Sequence, residues 1–206
     1  MIAIIDYRAG NLTSVNLAFE ALGIEATITD SPEVVLNAER VVFPGVGAAR
    51  AAMDNLAELG LVDTIKTVVA RGTPFLGICV GMQILLDHSD ENDGVNCLGL
   101  VSGNVSRFAP TDPYDKVPHM GWNRVRKCKQ HPVFDGIEND SEFYFVHSYY
   151  PSPVDWACVL GITDYAGITF SSAIVQDNLV ATQFHPEKSG SSGLRLLKNF
   201  TEWTPA

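Results

Sequence analysis

Hydrophobic runs and amphipathic segments alternate along the first half of the chain. Apolar runs at residues 1–6, 25–29, 40–43 and 74–78 have the length of strands, whereas residues 12–22, 48–59 and 61–70 have helical spacing. Ser31 and Pro32 supply an N-cap and a first-turn proline for another short helix. Strands that alternate with helices require right-handed crossovers, so the pattern predicts a doubly wound sheet in an α/β fold. The binding crevice should lie at the carboxyl ends of the strands.

The second half is richer in strands and turns. Candidate strands are residues 98–101, 103–108, 121–125, 143–146, 157–162, 173–175 and 179–184. Several of them should pair antiparallel, which makes the expected sheet mixed. A last helix over 192–203, capped by Ser191 or Ser192, presents apolar residues on one face. Without an internal repeat or linker, residues 1–206 are expected to form one domain.

A cysteine lies at a sharp turn between a predicted strand and a predicted helix. The segment 73–87 has the pattern of a short apolar strand followed by a helix, with Met82 and the apolar residues 84–86 on one face of that helix. Cys79 lies at the turn, between Gly77 and Gly81. Small residues at such a turn expose its central side chain, as in a nucleophile elbow, and helix N–H groups would stabilise a thiolate. Cys79 is equally well explained as a buried packing residue, since free cysteines are among the most buried residues. This segment alone does not decide between the two.

Composition narrows the functional classes. The 206 residues are 46% hydrophobic and 18% charged, which indicates a globular protein, and the net charge of −10 argues against non-specific nucleic-acid binding. The apolar runs are too short to span a bilayer and residues 1–6 do not resemble a signal peptide, so a cytoplasmic location is expected. Cysteines 79, 97, 128 and 158 form no C-x-x-C pair, so neither a structural zinc nor a redox dithiol is predicted and reduced thiols are expected.

A nucleophilic cysteine needs a base, and one of the five histidines is the best candidate. His185 ends a predicted strand and is followed by Pro186 and Glu187. In an extended chain, His185 and Glu187 would project to one side, so that the carboxylate could orient the imidazole. The other histidines have simpler explanations: His88 and His131 as surface residues, His119 and His147 as hydrogen-bonded core or interface residues.

Two motifs resemble those of the class I, triad-type glutamine amidotransferases. They are Gly77-Ile78-Cys79-Val80-Gly81-Met82-Gln83 and Gln183-Phe184-His185-Pro186-Glu187, and the resemblance extends over essentially the whole chain. It implies a flavodoxin-like α/β fold. Four further motifs resemble the branch of that family formed by the glutaminase subunits of imidazole glycerol phosphate synthase. They lie at residues 5–7 with 10–11, at 44–47, at 119–123 and at 144–149.

The resemblance implies a role for each site residue. Cys79 would attack the side-chain amide of glutamine to form a γ-glutamyl thioester, with His185 as base and then acid and Glu187 orienting it. The oxyanion hole would use the N–H of Val80 and an N–H of the loop at Gly45 and Val46. That loop could undergo a peptide flip, or it could be an ordinary tight turn. Three further residues would contact glutamine: Gln83, Ser148 and Tyr149.

The resemblance also implies a partner. Ammonia released into water would be protonated and lost, so the subunit would dock on the barrel-shaped cyclase subunit of the synthase as a heterodimer. The cyclase would use the ammonia to make imidazole glycerol phosphate and aminoimidazole carboxamide ribotide in histidine biosynthesis. The candidate docking residues are Asn11, Trp122, Tyr144 and Lys188. Neither a cofactor nor a metal is expected. A glutaminase serving another synthase, or a non-enzymatic binding or redox module, are the competing interpretations.

Overall fold

The computed structural model describes residues 1–8 and 11–205. The α-helices in these residues are α1 (Leu12–Ala21), α2 (Pro32–Leu36), α3 (Ala49–Glu58), α4 (Leu61–Ala70), α5 (Val80–Gln83) and α6 (Gly190–Glu202). The strands are β1 (Ile2–Ile5), β2 (Ala26–Thr29), β3 (Arg40–Gly45), β4 (Phe75–Cys79), β5 (His88–Ser89), β6 (Val95–Asn96), β7 (Gly103–Arg107), β8 (His119–Lys127), β9 (Ser141–His147), β10 (Tyr149–Pro153), β11 (Val159–Tyr165), β12 (Ile168–Gln176) and β13 (Leu179–Thr182). The predicted loop at residues 6–11 is only partly covered, because Ala9 and Gly10 lie outside the described residues.

One large mixed sheet forms the centre of the described fold. Its strand order is β2-β1-β3-β4-β13-β12-β11-β8-β9. Neighbouring strands are parallel from β2 to β13 and antiparallel from β13 to β9. Strands β1, β4 and β13 are buried along their whole length, as expected for parallel strands covered on both faces. The doubly wound mixed sheet predicted from the sequence is confirmed.

The order of the parallel strands determines where the site forms. Strand β4 lies between β3 and β13, so its carboxyl end adjoins the carboxyl ends of both neighbours. Gly45 is opposite Cys79 in the β3–β4 pair, and Thr182 is opposite Ile78 in the β4–β13 pair. Segments that are distant in sequence therefore converge at one edge of the sheet.

A second, smaller sheet in the described residues has the order β10-β7-β5-β6. Strand β10 pairs antiparallel with β7 and begins at Tyr149. The sequence analysis predicted β7 but missed β5, β6 and β10, because two-residue strands and a proline-containing strand give no clear alternation.

Two predicted elements near the elbow are wrong. Helix α5 ends at Gln83 instead of continuing through residues 84–86, and residues 98–101 form no strand. The N–H groups of Leu85 and Leu86 donate to carbonyls three residues back instead of four, and the N–H groups of residues 98–101 donate to the carbonyls of residues 84–86, at 2.8–2.9 Å. Carbonyls that would have continued the helix are used by the returning chain instead.

Other boundaries also differ. The predicted strand at 157–162 begins with a 3-10 helix, Trp156–Cys158, and becomes strand β11 only at Val159. Helix α6 begins at Gly190 with Ser189 in the cap position, so the predicted caps Ser191 and Ser192 are wrong. Ser189 makes no capping hydrogen bond; its hydroxyl instead donates to the His185 carbonyl at 2.6 Å and accepts the Tyr144 N–H at 3.0 Å.

Candidate active site

Cys79 occupies a strained turn at the end of β4. Its φ of 55° and ψ of −110° lie outside the regions that side-chain-bearing residues prefer, at a cost of about 1–3 kcal/mol. The turn packs tightly on β3: a Cβ on Gly81 would collide with the carbonyl oxygen of Phe43, and one on Gly77 would lie 2.8 Å from the Gly81 oxygen. Glycine at both positions therefore allows the elbow to form against its neighbouring strand.

His185 and Glu187 form a buried hydrogen-bonded pair. The distance from His185 Nδ1 to Glu187 Oε1 is 2.8 Å, and the two side chains are 1% and 0% exposed. The expectation of an extended chain here is wrong, because Pro186 begins a 3-10 helix, Pro186–Lys188, which turns the carboxylate toward the imidazole. Asn11 also donates its side-chain N–H to Glu187 Oε1, at 3.0 Å. The carboxylate is thus held from two sides.

The imidazole of His185 shares a cavity wall with Cys79. Its Nε2 atom has no hydrogen-bond partner among the described residues. Burial opposes a charge on His185, but Cys79 and Glu187 outweigh it and raise the pKa of His185 to about 10. The histidine is therefore able to hold the proton that the thiol gives up.

The cavity has a volume of about 370 Å³. It is within the size range of small-molecule sites. Its walls are formed by Val46, Gly47, Cys79, Val80, Gln83, Glu91, Pro118, Val146, His147, Ser148, Tyr149 and His185. The structure thus brings the candidate nucleophile, base, oxyanion donors Val80 and Val46 and the three candidate substrate contacts to one cavity. Gly45, the other candidate residue of the oxyanion hole, does not line the cavity but lies opposite Cys79 in the sheet.

The two sides of the candidate oxyanion hole differ. Val80 is the first residue of α5, and the first N–H groups of a helix have no partner within the helix. The Val46 N–H, in contrast, donates to the Tyr7 hydroxyl at 3.1 Å, and that hydroxyl donates to the Val46 carbonyl at 3.2 Å. Tyr7 is 1% exposed, and burial raises the pKa of its phenol. The Val46 N–H is therefore already occupied in this state.

Gln83 and Tyr149 are joined by a hydrogen bond. The Gln83 side-chain nitrogen donates to the Tyr149 carbonyl at 2.9 Å and to Gln183 Oε1 at 3.0 Å. Only the carbonyl oxygen of the Gln83 side chain is left for a ligand. Ser148 is half-buried and its own carbonyl accepts the Phe108 N–H at 3.0 Å, which fixes the backbone at the cavity wall.

Three residues of the site were missed by the sequence analysis. Glu91 lines the cavity from the 3-10 helix Glu91–Asp93, with one carboxylate oxygen accepting the Ala49 N–H at 2.7 Å. Gln183 donates to Cys79 Sγ at 3.6 Å, and Tyr7 holds Val46. Gln183 and Tyr7 belong to motifs already singled out, so their position next to predicted site residues was an available signal. Glu91 lies in a polar loop without any such signal.

A pair of neutral histidines supports the cavity wall. His147 donates from Nδ1 to the Tyr149 carbonyl at 2.7 Å, so its Nε2 accepts from His119 Nδ1 at 2.9 Å. Burial lowers the pKa of His119 to about 4 and that of His147 to about 3. Both are thus buried, hydrogen-bonded side chains.

An exposed apolar surface lies beside the cavity. On the outer face of β8 and β9, Trp122 is paired with Tyr144 and Met120 with Val146. Trp122 is 55% exposed and Met120 is 63% exposed, and Val146 reaches the cavity. We call Met120, Trp122, Tyr144 and Val146 the outer apolar surface. Of the other candidate docking residues, Lys188 is exposed and Asn11 is half-buried, with its amide directed to Glu187.

Comparisons with known proteins agree with this geometry. The sequence model of the family described as "Glutamine amidotransferase class-I" matches residues 3–203. A HisH subunit of imidazole glycerol phosphate synthase from Dehalococcoides mccartyi is 50% identical over 97% of this chain and 96% of its own length. The same subunit from Dechloromonas aromatica is 52% identical over 99% of this chain and 97% of its own. A crystal structure of a glutamine amidotransferase is 19% identical, covers 98% of both chains and superposes with a TM-score of 0.72, which shows a shared fold.

The fold, the site and the family match define the class: the chain belongs to the class I glutamine amidotransferases. Identity near 50% over almost the entire length then places it, within that class, in the family of HisH subunits of imidazole glycerol phosphate synthase. It is an enzyme of the glutaminase type. In the described residues, no helix has the length and apolar character needed to cross a membrane. All four cysteines are free thiols.

Proposed function

We propose that this protein hydrolyses glutamine through Cys79, His185 and Glu187 and delivers the ammonia to a cyclase subunit. The observation that carries the proposal is the placement of a Glu187-bound histidine and a cysteine elbow on one cavity wall, where two neighbouring parallel strands end. A buried cysteine that only packs in the core would not need an unpartnered imidazole nitrogen in the same cavity.

The reaction follows from these groups. His185 Nε2 takes the thiol proton, and Cys79 Sγ forms a bond to the amide carbon of glutamine. The C–N bond then breaks as His185 returns its proton to the leaving nitrogen, which gives ammonia and a thioester. Water, deprotonated by His185, adds to the thioester, and the C–S bond breaks to give glutamate and the free thiol. Glu187 keeps the imidazole in the required orientation and tautomer.

Donors and acceptors on the wall would orient glutamine. The N–H of Val80 would bind the oxyanion, with a second donor from the loop at Gly45 and Val46. Each such donor is worth on the order of 3 kcal/mol in the transition state. The Glu91 carboxylate has an oxygen beyond the one bound to Ala49 and suits the α-ammonium group of the amino acid. Gln83, Ser148 and Tyr149 would contact the remaining polar atoms.

The partner we propose is the cyclase subunit of imidazole glycerol phosphate synthase, in a heterodimer. The outer apolar surface carries two aromatic side chains and reaches the cavity through Val146, and Trp and Tyr are favoured in the centres of interfaces. Docking there would cover the cavity mouth and keep ammonia from water. Lys188 and Asn11 would extend the contact on the side of Glu187. The complex would act in the cytoplasm, in histidine biosynthesis.

The test is an assay of glutamate release. The isolated chain should be slow, and addition of the cyclase with its nucleotide substrate, the phosphoribulosyl-formimino aminoimidazole carboxamide ribonucleotide, should accelerate it strongly. Cys79→Ala should abolish release, whereas Cys128→Ala, which removes an exposed thiol, should retain it. Full activity of Cys79→Ala would overturn the mechanism. Copurification with a different synthase, and no stimulation by the cyclase, would overturn the partner.

A further inference from the structure

A row of two hydrogen-bonded side-chain amides, those of Gln83 and Gln183, ends at the sulfur of Cys79. Gln183 Nε2 donates to Cys79 Sγ at 3.6 Å, within the range for a hydrogen bond to sulfur. Gln183 is fully buried and follows β13, the strand that pairs with the cysteine strand. The mechanism proposed above makes no use of this contact.

The Tyr149 carbonyl, at the opposite end of this row of amides from Cys79, determines the direction of every hydrogen bond in the row. The Tyr149 carbonyl can only accept, so the group of Gln83 that faces it at 2.9 Å is the NH₂. The same NH₂ faces Gln183 at 3.0 Å, so the atom of Gln183 on that side is its oxygen. The NH₂ of Gln183 is consequently the group that faces Sγ.

An N–H that points at sulfur favours the thiolate over the thiol. Hydrogen bonds to a charged acceptor are stronger than those to a neutral one, most of all where water is excluded. Sγ also lies 4.0 Å from the Val146 carbonyl, which can only accept and therefore suits the protonated thiol. Gln183 is the one of these two groups that stabilises the reactive form.

We propose that Gln183 is a positioning residue that holds the Cys79 thiolate in place, and that Gln83 orients Gln183 for this purpose. The inference rests on the proposed function in one respect, the use of Cys79 as nucleophile. It gives Gln83 a role in addition to substrate contact. Glutamine is required at position 183 because it combines an acceptor for Gln83 with a donor for sulfur.

Alkylation of Cys79 by iodoacetamide, followed against pH by mass spectrometry of the Cys79 peptide, tests the proposal without glutamine or partner. Gln183→Glu keeps an acceptor for Gln83 but presents oxygen to the sulfur, and Gln183→Met removes both functions. Either change should slow alkylation at pH 7 by about tenfold or more and move the half-maximal rate to higher pH. Gln83→Leu should shift it in the same direction by less. Gln176→Met is the matched control, because its exposed amide binds the Leu100 carbonyl, and it should leave the profile unchanged.

The outcomes separate the inference from the proposed function. If Gln183→Glu, Gln183→Met and Gln83→Leu all alkylate like the unmodified protein, Gln183 does not hold the thiolate, even if Cys79→Ala is inactive. If Cys79→Ala retains glutaminase activity, the proposed function fails whatever the alkylation profile. Melting curves identify a variant that does not fold. In that case the remaining variants decide, since Gln183→Glu and Gln83→Leu alter the row of amides in different ways.

Discussion

The Tyr7 hydroxyl binds both polar groups of Val46, accepting its N–H at 3.1 Å and donating to its carbonyl at 3.2 Å. Val46 lies on the cavity wall, in the loop that faces the cysteine elbow. A donor that is already bound to a hydroxyl cannot also bind an oxyanion. In the mechanism proposed above, Val80 would be free to bind the oxyanion while Val46 is engaged by Tyr7, which would keep the isolated subunit slow.

Replacement of Tyr7 by Phe should raise the basal glutaminase rate of the isolated chain. The change removes the hydroxyl but keeps the buried ring, so the Val46 N–H loses one neutral hydrogen bond of about 1 kcal/mol, equivalent to about fivefold. We expect kcat without the cyclase to rise by about that factor, with KM unchanged and the stimulated rate little affected. Tyr165→Phe, which removes a hydroxyl bound to the Lys116 carbonyl, is the control. Equal losses of basal and stimulated activity in Tyr7→Phe would contradict the interpretation.

Glu187→Gln should lower the stimulated kcat by up to about 10⁴-fold, because an amide in place of the orienting carboxylate favours the wrong tautomer of the catalytic imidazole. The carboxylate raises the pKa of His185 and holds its Nδ1 at 2.8 Å, and an amide keeps the size but not the charge. Steady-state glutamate release with the cyclase present measures the loss. Glu202→Gln, on an exposed face of α6, provides a control of the same chemistry. A Glu187→Gln enzyme with normal kcat would remove Glu187 from the triad.

The buried histidine pair should make the fold sensitive to acid. The pKa values of His119 and His147 are lowered by burial to about 4 and about 3, whereas an unfolded histidine titrates near 6.5. Below about pH 6.5 the unfolded chain binds more protons than the folded one, so the free energy of unfolding falls as the pH decreases toward the folded pKa values. The contribution of His119 and His147 to stability is fully present above about pH 6.5 and is lost as the pH falls below it.

Urea unfolding at several pH values between 7.5 and 4 measures this dependence. His119→Gln should reduce its slope, because one histidine no longer gains a proton on unfolding. His88→Gln, a change at a half-buried histidine outside the pair, should leave the slope as it is. A slope that is the same in His119→Gln and the unmodified protein would show that His119 is not the origin of the effect.

Trp122 should be an anchor of the cyclase interface. Truncation of a central aromatic residue typically costs about 2 kcal/mol of binding, so Trp122→Ala should weaken the heterodimer by about 30-fold while the basal glutaminase rate of the isolated chain is unchanged. Titration of the cyclase by calorimetry gives the affinity. Trp156→Ala is matched to it, since Trp156 is 60% exposed against 55% for Trp122 but lies on a different segment. Equal affinities in the two variants would place the interface elsewhere.

The parallel half of the sheet and the location of the site could be predicted because local patterns determine them. Continuous apolar strands, helical spacing and the glycines around Cys79 can each be recognised from a few neighbouring residues. The end of α5 at Gln83 could not be predicted, because carbonyls 84–86 are bound by a segment more than ten residues later. The same applies to Glu91, whose place in the cavity is determined by its bond to Ala49, and to the hydrogen bond between Tyr7 and Val46. Contacts between distant segments leave no periodicity in the sequence.

The pairing of β4 with β13 has a consequence for biosynthesis of the enzyme. Cys79 leaves the ribosome long before Gln183, His185 and Glu187, and an isolated cysteine is mostly a protonated thiol at neutral pH. The residues that we propose activate it come next to it only when the strand Leu179–Thr182 inserts beside β4, while Asn11, from near the start of the chain, binds Glu187. An incomplete or misfolded chain would therefore carry an ordinary thiol. In the mechanism proposed above, completion of the central sheet would therefore be the step that activates Cys79, and the growing chain would carry no reactive thiolate.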